Sequence, residues 1–363
     1  GTSLADPLSG GLAGLIKTAA REWSEVSCKA IDLGLFSDTA SEARAVADEI
    51  FLSAPQEVGL TPAGRTTLEV VDLPALAAPA TAPIQAGDVV VITGGGRGVT
   101  TAAAVTLAEA YKPLLVLLGR SPQQQPEPEW LASLDDEGLI KRAILEHAAE
   151  KLHPREIEEQ FRAVMAGREL RTTLARVAHA GGQAVYRSVD IRDVAAVSRL
   201  FDDIRSEYGP IRGIVHGAGV LADRLISDKT REQFALVYGT KVGGLRSLLE
   251  ASASDDLRFI AMFASTSGRF GRSGQVDYAV ANEVLNKLAQ AESRRRPACR
   301  TVSINWGPWD GGMVTPALKK IFSGEGIGLI GLSEGGEFLM REIAAAGDPV
   351  EIIALAGRTA GSL

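Results

Sequence analysis

Several short runs in this chain are apolar from end to end, without the polar alternation of a strand that shows one face to water. They are 88–93 (DVVVIT), 114–118 (LLVLL), 213–216 (GIVH) and 259–263 (FIAMF). A strand reads this way when both of its faces are buried, so each needs a layer on either side. Helical runs separate them, at 102–111, 194–208 and most of 225–252, and further strands are expected at 183–190, 300–305 and 350–355. Buried strands alternating with helices leave one architecture, an α/β fold with a doubly wound parallel sheet.

The first strand ends at Thr93 and runs into Gly94-Gly95-Gly96-Arg97-Gly98-Val99-Thr100, where a helix begins. Glycine there lets the backbone approach a pyrophosphate, and the helix N-terminus favours its charge. Such a turn also serves strand–helix geometry alone. Its place after the first buried strand favours a dinucleotide, although the spacing is Gly94-x-x-x-Gly98 and not G-x-G-x-x-G. The second strand ends Leu118-Gly119-Arg120-Ser121, where an NAD-binding chain usually places Asp or Glu. A cation and a hydroxyl suit a 2′-phosphate instead, so the expected cofactor is NADPH, with Arg97 as a second positive charge. The competing reading of Arg120 is a solvated loop residue. Asp190 and Ile191 stand where an adenine is held, and His216-Gly217-Ala218-Gly219 lets the backbone pass close to the adenosine ribose.

The stretch 263–282 (FASTSGRFGRSGQVDYAVAN) carries the reactive groups. A strand ends in Ser265, Thr266 and Ser267, and after a loop of Gly and Arg a helix presents Tyr278 and Asn282 on one face. Ser265 can hydrogen-bond a carbonyl oxygen to which Tyr278 gives a proton. A Lys ammonium nearby would lower the Tyr pKa toward neutrality, and Lys241 on the preceding helix is the candidate. A Ser–Tyr pair in a strand–helix unit also occurs as plain packing or capping.

A net charge of −7 over 363 residues argues against nucleic acid as the main partner. No apolar run approaches the ~20 residues of a membrane span, and the N-terminus lacks the basic, then apolar, pattern of a signal peptide. Cys28, Cys299 and the four histidines have no metal-ligand spacing. The expectation is a cytoplasmic protein with no metal, no membrane and no nucleic acid. Residues 1–83 read as a first unit: a helix at 11–23, a strand at 29–33, a helix at 40–53, a strand at 67–71 and an Ala/Pro linker over 73–83, without any catalytic constellation. Residues 84–363 form the second unit, with a helical insertion at 123–167.

Thr93, Gly94, Gly98, Gly217-Ala218-Gly219, Ser265 and Tyr278 together resemble the short-chain dehydrogenase/reductase family. That family usually has Lys four residues after the Tyr. Here Asn282 holds that position, and the Lys is Lys241, 24 residues before Ser265. This exchange resembles the ketoreductase domains of polyketide and fatty-acid megasynthases. The insertion is similar to those of iterative polyunsaturated-fatty-acid and enediyne synthases.

The resemblance implies a Rossmann-like catalytic sheet preceded by a truncated, cofactor-free Rossmann-like structural half, residues 1–83. It implies NADPH-dependent reduction of a 3-oxoacyl thioester on acyl carrier protein. In that reaction Tyr278 is the proton donor, Ser265 the hydrogen-bond partner, Lys241 the group that keeps Tyr278 acidic, and Asn282 the holder of Lys241 or a relay water. A substrate lid over 310–335 follows, with Trp309 and Met313 on the substrate side. Asp223 resembles the last Asp of the B-type motif, and Phe270 stands where A-type domains carry Trp, so the expected product is the 3R alcohol; a loop cap is the other reading of Asp223. Arg224, Arg269 and Arg272 are candidate contacts for the phosphopantetheine phosphate. Partners would be acyl carrier protein and the other domains of the synthase. Thr100 departs from the usual Gly, which bears on loop geometry. Two other readings remain open here, a free-standing reductase of a small ketone or acyl-CoA and a catalytically silent scaffold.

Overall fold

The computed structural model describes residues 6–73, 82–122, 127–148, 150–345, 347 and 349–357. The chain opens with α1 (Gly11–Glu22), β1 (Ala30–Leu33), α2 (Thr39–Ile50), β2 (Glu57–Thr61) and β3 (Gly64–Thr67). β1 and β2 pair in parallel and β3 returns antiparallel to β2. The strand expected at 67–71 is therefore displaced. Thr61 faces Gly64 across a two-residue turn, Pro62-Ala63, and Thr67 pairs with Val58 at the far end of the hairpin. Most of the expected linker, 74–81, lies outside the described residues.

The larger part of the chain runs β4 (Val89–Thr93), α3 (Val99–Tyr111), β5 (Leu114–Gly119), α4 (Glu129–Ala132), α5 (Glu137–Glu146), α6 (Pro154–His179), β6 (Gln183–Ser188), α7 (Val194–Tyr208) and β7 (Ile211–His216). It continues α8 (Arg231–Tyr238), α9 (Gly244–Ala251), β8 (Phe259–Ser265), α10 (Thr266–Phe270), α11 (Val276–Arg295), β9 (Arg300–Trp306), α12 (Pro316–Gly324), α13 (Leu332–Ala344) and β10 (Glu351–Ala354). A π turn, Gly239–Gly243, joins α8 to α9.

The seven strands β4 to β10 form one parallel sheet in the order β10-β9-β8-β7-β4-β5-β6. Alternate residues of each strand enter different cores: Val90, Ile92, Leu115 and Leu117 on one face, Val89, Val91, Val116 and Leu118 on the other. That is why the runs are apolar without alternation. The chain order reverses between β4 and β7, which leaves a crevice beyond their C-terminal ends, Thr93 and His216.

Two packing features bear on that crevice. α6 is one continuous helix of 26 residues, so the last helix of the expected insertion and the crossover helix into β6 are a single piece. α4 and α5 bury Leu131, Ile140, Ala143 and Ile144 against its first half. α1 lies along α11, and at Gly14 a Cβ would sit 2.6 Å from the Ala279 carbonyl oxygen. Only glycine permits that approach, one residue from Tyr278.

Candidate active site

The crevice is a cleft of about 1320 Å³. One wall is the loop between β4 and α3. Gly94 (φ +73°) and Gly98 (φ +62°) take left-handed backbone conformations, and a Cβ on Gly94 would lie 3.1 Å from the Gly217 backbone. Glycine thus brings the ends of β4 and β7 together and leaves the α3 N-terminus, at Val99, facing the cleft. Thr100 is buried, and the carbonyls of Gly94 and Arg97 (2.9 Å for the latter) share the one proton of its hydroxyl. The departure from glycine at this position therefore ties the loop down. Gly96 is set back from the cleft, its carbonyl accepting the Thr173 hydroxyl of α6 at 3.2 Å.

Thr93 is fully buried. Its Oγ1 accepts the Ala218 N–H (3.2 Å) and lies 2.9 Å from His216 Nδ1, while His216 Nε2 is 2.8 Å from the Lys241 carbonyl. A carbonyl cannot donate, so Nε2 carries the proton and Nδ1 accepts from Thr93. Burial, with the Lys241 charge nearby, pushes the imidazole down to about 3 and keeps it neutral. The network joins the loop strand to the turn that carries Lys241.

Arg120, Asp190 and Ile191 line the far end of the cleft with Arg97 and Gly98. Asp190 is not free: its carboxylate accepts from Arg192 Nε at 3.0 Å and from Nη2 at 2.5 Å, which holds it down at about 2. Ser121 lies outside the cleft lining, and its carbonyl accepts the Tyr186 hydroxyl at 2.8 Å.

The reactive side chains meet on the opposite wall. Ser265 ends β8 and caps α10, its Oγ accepting the Ser267 N–H at 3.2 Å. Its own proton is thereby left to donate into the cleft. Tyr278 comes from the first turn of α11. Lys241 projects from the π turn, a helix irregularity frequent at functional sites. It is 2% exposed, and its Nζ donates to the Phe263 carbonyl at 2.8 Å and lies 5.0 Å from the Tyr278 ring centroid. Gly219 makes room for it, since a Cβ there would be 3.2 Å from Lys241 Cε.

One expectation is corrected and one is narrowed. The Tyr278 phenol is pushed up to about 12 by burial, outweighing a downward pull from Asn282, and the Lys241 ammonium is pushed down to about 7 by the same desolvation. The Lys241 Nζ is turned to a backbone carbonyl, and burial outweighs its charge at the phenol of the free protein. Asn282 makes no direct bond to Lys241, which leaves the relay water of its two expected roles. Its Nδ2 donates to the Tyr278 carbonyl at 2.8 Å within α11, and its Oδ1 is a buried acceptor without a partner.

The profile of the KR domain family matches residues 88–311. The chain belongs to the KR domain family. It is thus placed among ketoreductases, a class of oxidoreductases. It is 35% identical over 362 residues to a subunit of the polyunsaturated fatty acid synthase from Thraustochytrium sp., covering 95% of this chain and 13% of that one. It is 32% identical over 305 residues to a subunit of the phenolphthiocerol/phthiocerol polyketide synthase from Mycobacterium tuberculosis, covering 83% of this chain and 14% of that one. The chain thus spans a small part of these relatives. Among solved structures, a ketoreductase domain from the bacillaene assembly line superposes with a TM-score of 0.72 at 26% identity, covering 96% of this chain and 74% of that one. One from the first module of phoslactomycin biosynthesis in Streptomyces sp. gives 0.75 at 25%, covering 97% and 72%.

In this KR domain, Asp223, Phe270 and Met313, expected on the substrate side, line the cleft. Asp223 Oδ2 accepts from Gln275 Nε2 at 2.9 Å. Trp309 is a buried core residue against Phe263 and Trp306 that also lines the cleft. Leu318 and Phe322 of α12 also line the cleft, with Arg272 5.0 Å from the Phe322 ring centroid. Arg269 cannot meet a phosphate. It is 10% exposed and committed to Glu57, Glu283 and Glu351 in a buried ion cluster with Lys17 and Lys287.

Sequence reasoning missed Arg21, which comes from the first unit and lines the cleft. It also missed Lys229, whose Nζ joins Asp277 (2.9 Å) to the Ala222 carbonyl (2.6 Å) beside Tyr278. No local pattern marks either residue. Among the described residues no helix is long and apolar enough to cross a membrane, and no three His, Cys, Asp or Glu side chains gather as a metal site.

Proposed function

We propose that this KR domain reduces a 3-oxoacyl thioester, carried on acyl carrier protein, to the 3R-hydroxyacyl thioester with NADPH, within a cytoplasmic polyunsaturated-fatty-acid or polyketide synthase. The observation that carries the reading is the cleft itself. Ser265, Tyr278 and Lys241 form one wall and the glycine loop at the α3 N-terminus forms the other. The residues suit the dinucleotide: glycines that hold the loop close against the end of β7, a helix N-terminus for the pyrophosphate, and Arg97 and Arg120 for a 2′-phosphate. NADPH, when bound, would supply the hydride. The likeness to a polyunsaturated fatty acid synthase, which runs over nearly all of this chain, favours that class of parent protein.

The chain's own groups handle the oxygen. A phenol near 12 is protonated at neutral pH, which a proton donor needs at the start of a reduction. The Ser265 hydroxyl, with a lone pair already taken by Ser267 N–H, donates to the same substrate oxygen. As negative charge develops there, the Tyr278 proton moves to it. The Lys241 charge, 5.0 Å from the phenol ring in a dry wall, then favours the phenolate left behind. His216 and the Phe263 carbonyl hold Lys241 in place.

The test is NADPH oxidation with acetoacetyl groups on a carrier protein, followed by chiral analysis. Predominantly 3R alcohol supports the reading. Predominantly 3S alcohol, or equal turnover with NADH, contradicts that part of it.

A further inference from the structure

Two irregular segments frame the substrate side of the cleft. Gly219, Val220, Leu221 and Asp223 lie on one, and Gly271, Arg272, Ser273 and Gln275 on the other. They touch through Arg224 N–H to the Gly274 carbonyl (2.9 Å) and through Gln275 to Asp223 (2.9 Å). No β ladder holds 217–225. Their outer sides meet the end of α1. The Glu22 carboxylate accepts the Ile226 N–H through Oε2 and the Gly274 N–H through Oε1, both at 2.7 Å. One residue earlier, Arg21 Nε donates to the Phe270 carbonyl at 2.8 Å. One turn earlier, the Lys17 backbone packs so closely on Gly271 (φ +65°) that a Cβ there would sit 2.5 Å from it.

We propose that Glu22 is a positioning residue for ketone reduction. It staples the two substrate-side segments together, so the unit without a catalytic group sets how the ketone is presented to Tyr278. A carboxylate accepting two backbone N–H groups makes charge-assisted bonds, stronger than neutral ones and directional at both oxygens. Each oxygen takes a different segment, so the carboxylate fixes their separation. Asp223 lies three residues before Ile226, and Gln275 directly follows Gly274, so the pair that borders the ketone moves with the staple. The effect falls on presentation, because the two Glu22 hydrogen bonds go to these segments and not to the glycine loop or Tyr278.

This inference rests on the reading of the cleft as a thioester ketoreductase, and its test separates the two. Amide hydrogen exchange of the protein without substrate reads the staple alone. In Glu22→Ala the amides of Ile226 and Gly274 should exchange about tenfold faster or more. In Glu22→Gln, which keeps one acceptor, one of the two should do so. NADPH affinity should equal wild type in both. With acetoacetyl-N-acetylcysteamine, KM should rise several-fold with a smaller change in kcat, and the ratio of 3R to 3S product should fall.

Unchanged exchange at both amides overturns the staple. Faster exchange with wild-type KM and product ratio overturns the positioning role. An inactive wild type with faster exchange in the variants sinks the ketoreductase reading and the positioning role, and leaves the contact standing. If Glu22→Ala does not fold, Glu22→Gln carries the same comparison.

Discussion

Lys241 carries the pH dependence of this site. Burial holds its ammonium at about 7 in the free protein, so it is charged below neutrality and loses its charge as pH rises through that value. If the charge favours the Tyr278 phenolate, kcat/KM, which reports the free enzyme, falls about tenfold per pH unit above 7. Initial rates from pH 6 to 9 check this, and in Lys241→Met the rate should be low and flat. Thr100 offers a second test. Thr100→Val keeps the shape and removes the hydroxyl proton that the two loop carbonyls share, so NADPH should bind about tenfold more weakly, as measured by fluorescence titration. The sequence places Ser265, Tyr278 and Lys241 around one cleft because each ends or opens an element whose type is written locally. It does not show which way the Lys241 ammonium points. That depends on the Phe263 carbonyl and on a π turn that no periodicity announces.

At the scale of elements, α1 is the back support of α11. Gly14→Val puts branched carbons where a single Cβ is already 2.6 Å from the Ala279 carbonyl. It should cost about 1–3 kcal/mol in urea unfolding and lower kcat by displacing Tyr278. An unchanged unfolding midpoint would mean the helices do not meet so closely. The central strands β4, β5, β7 and β8 were legible because both of their faces are buried, and the half-exposed edge strands β6 and β10 because they continue the alternation with helices. The β2–β3 hairpin was not, since its residues are short, partly exposed and broken by Gly59 and Gly64. The continuity of α6 was hidden for another reason. Its first half is a charged face with i,i+4 pairs such as Arg155–Glu159 and Arg162–Glu158, which reads as a solvated insertion and not as the start of a crossover helix.

At the scale of the whole molecule, the buried ion cluster joins β2, α11 and β10. Glu283 is fully buried, and burial alone would raise its carboxyl. Arg269, Lys17 and Lys287 more than offset this and hold it well below the usual range. Its contribution to stability is thus present above the unfolded value, near 4.5, and is lost as pH falls below it. Arg269→Ala leaves that charge short of a partner and should cost about 3–5 kcal/mol. Its acid unfolding should also begin at higher pH than that of wild type, as circular dichroism would follow. Contacts of this kind join residues as far apart as Glu57 and Arg269, 212 positions, beyond any sequence window.

The central claim is that the cleft reduces a ketone using the Tyr278 proton. NADPH oxidation with acetoacetyl-N-acetylcysteamine, in wild type and in Tyr278→Phe, tests it most directly. The account predicts turnover by wild type and a loss of about 10²–10⁴-fold in kcat for the variant, with NADPH affinity retained. Equal turnover by both proteins, with NADPH bound by both, would contradict it.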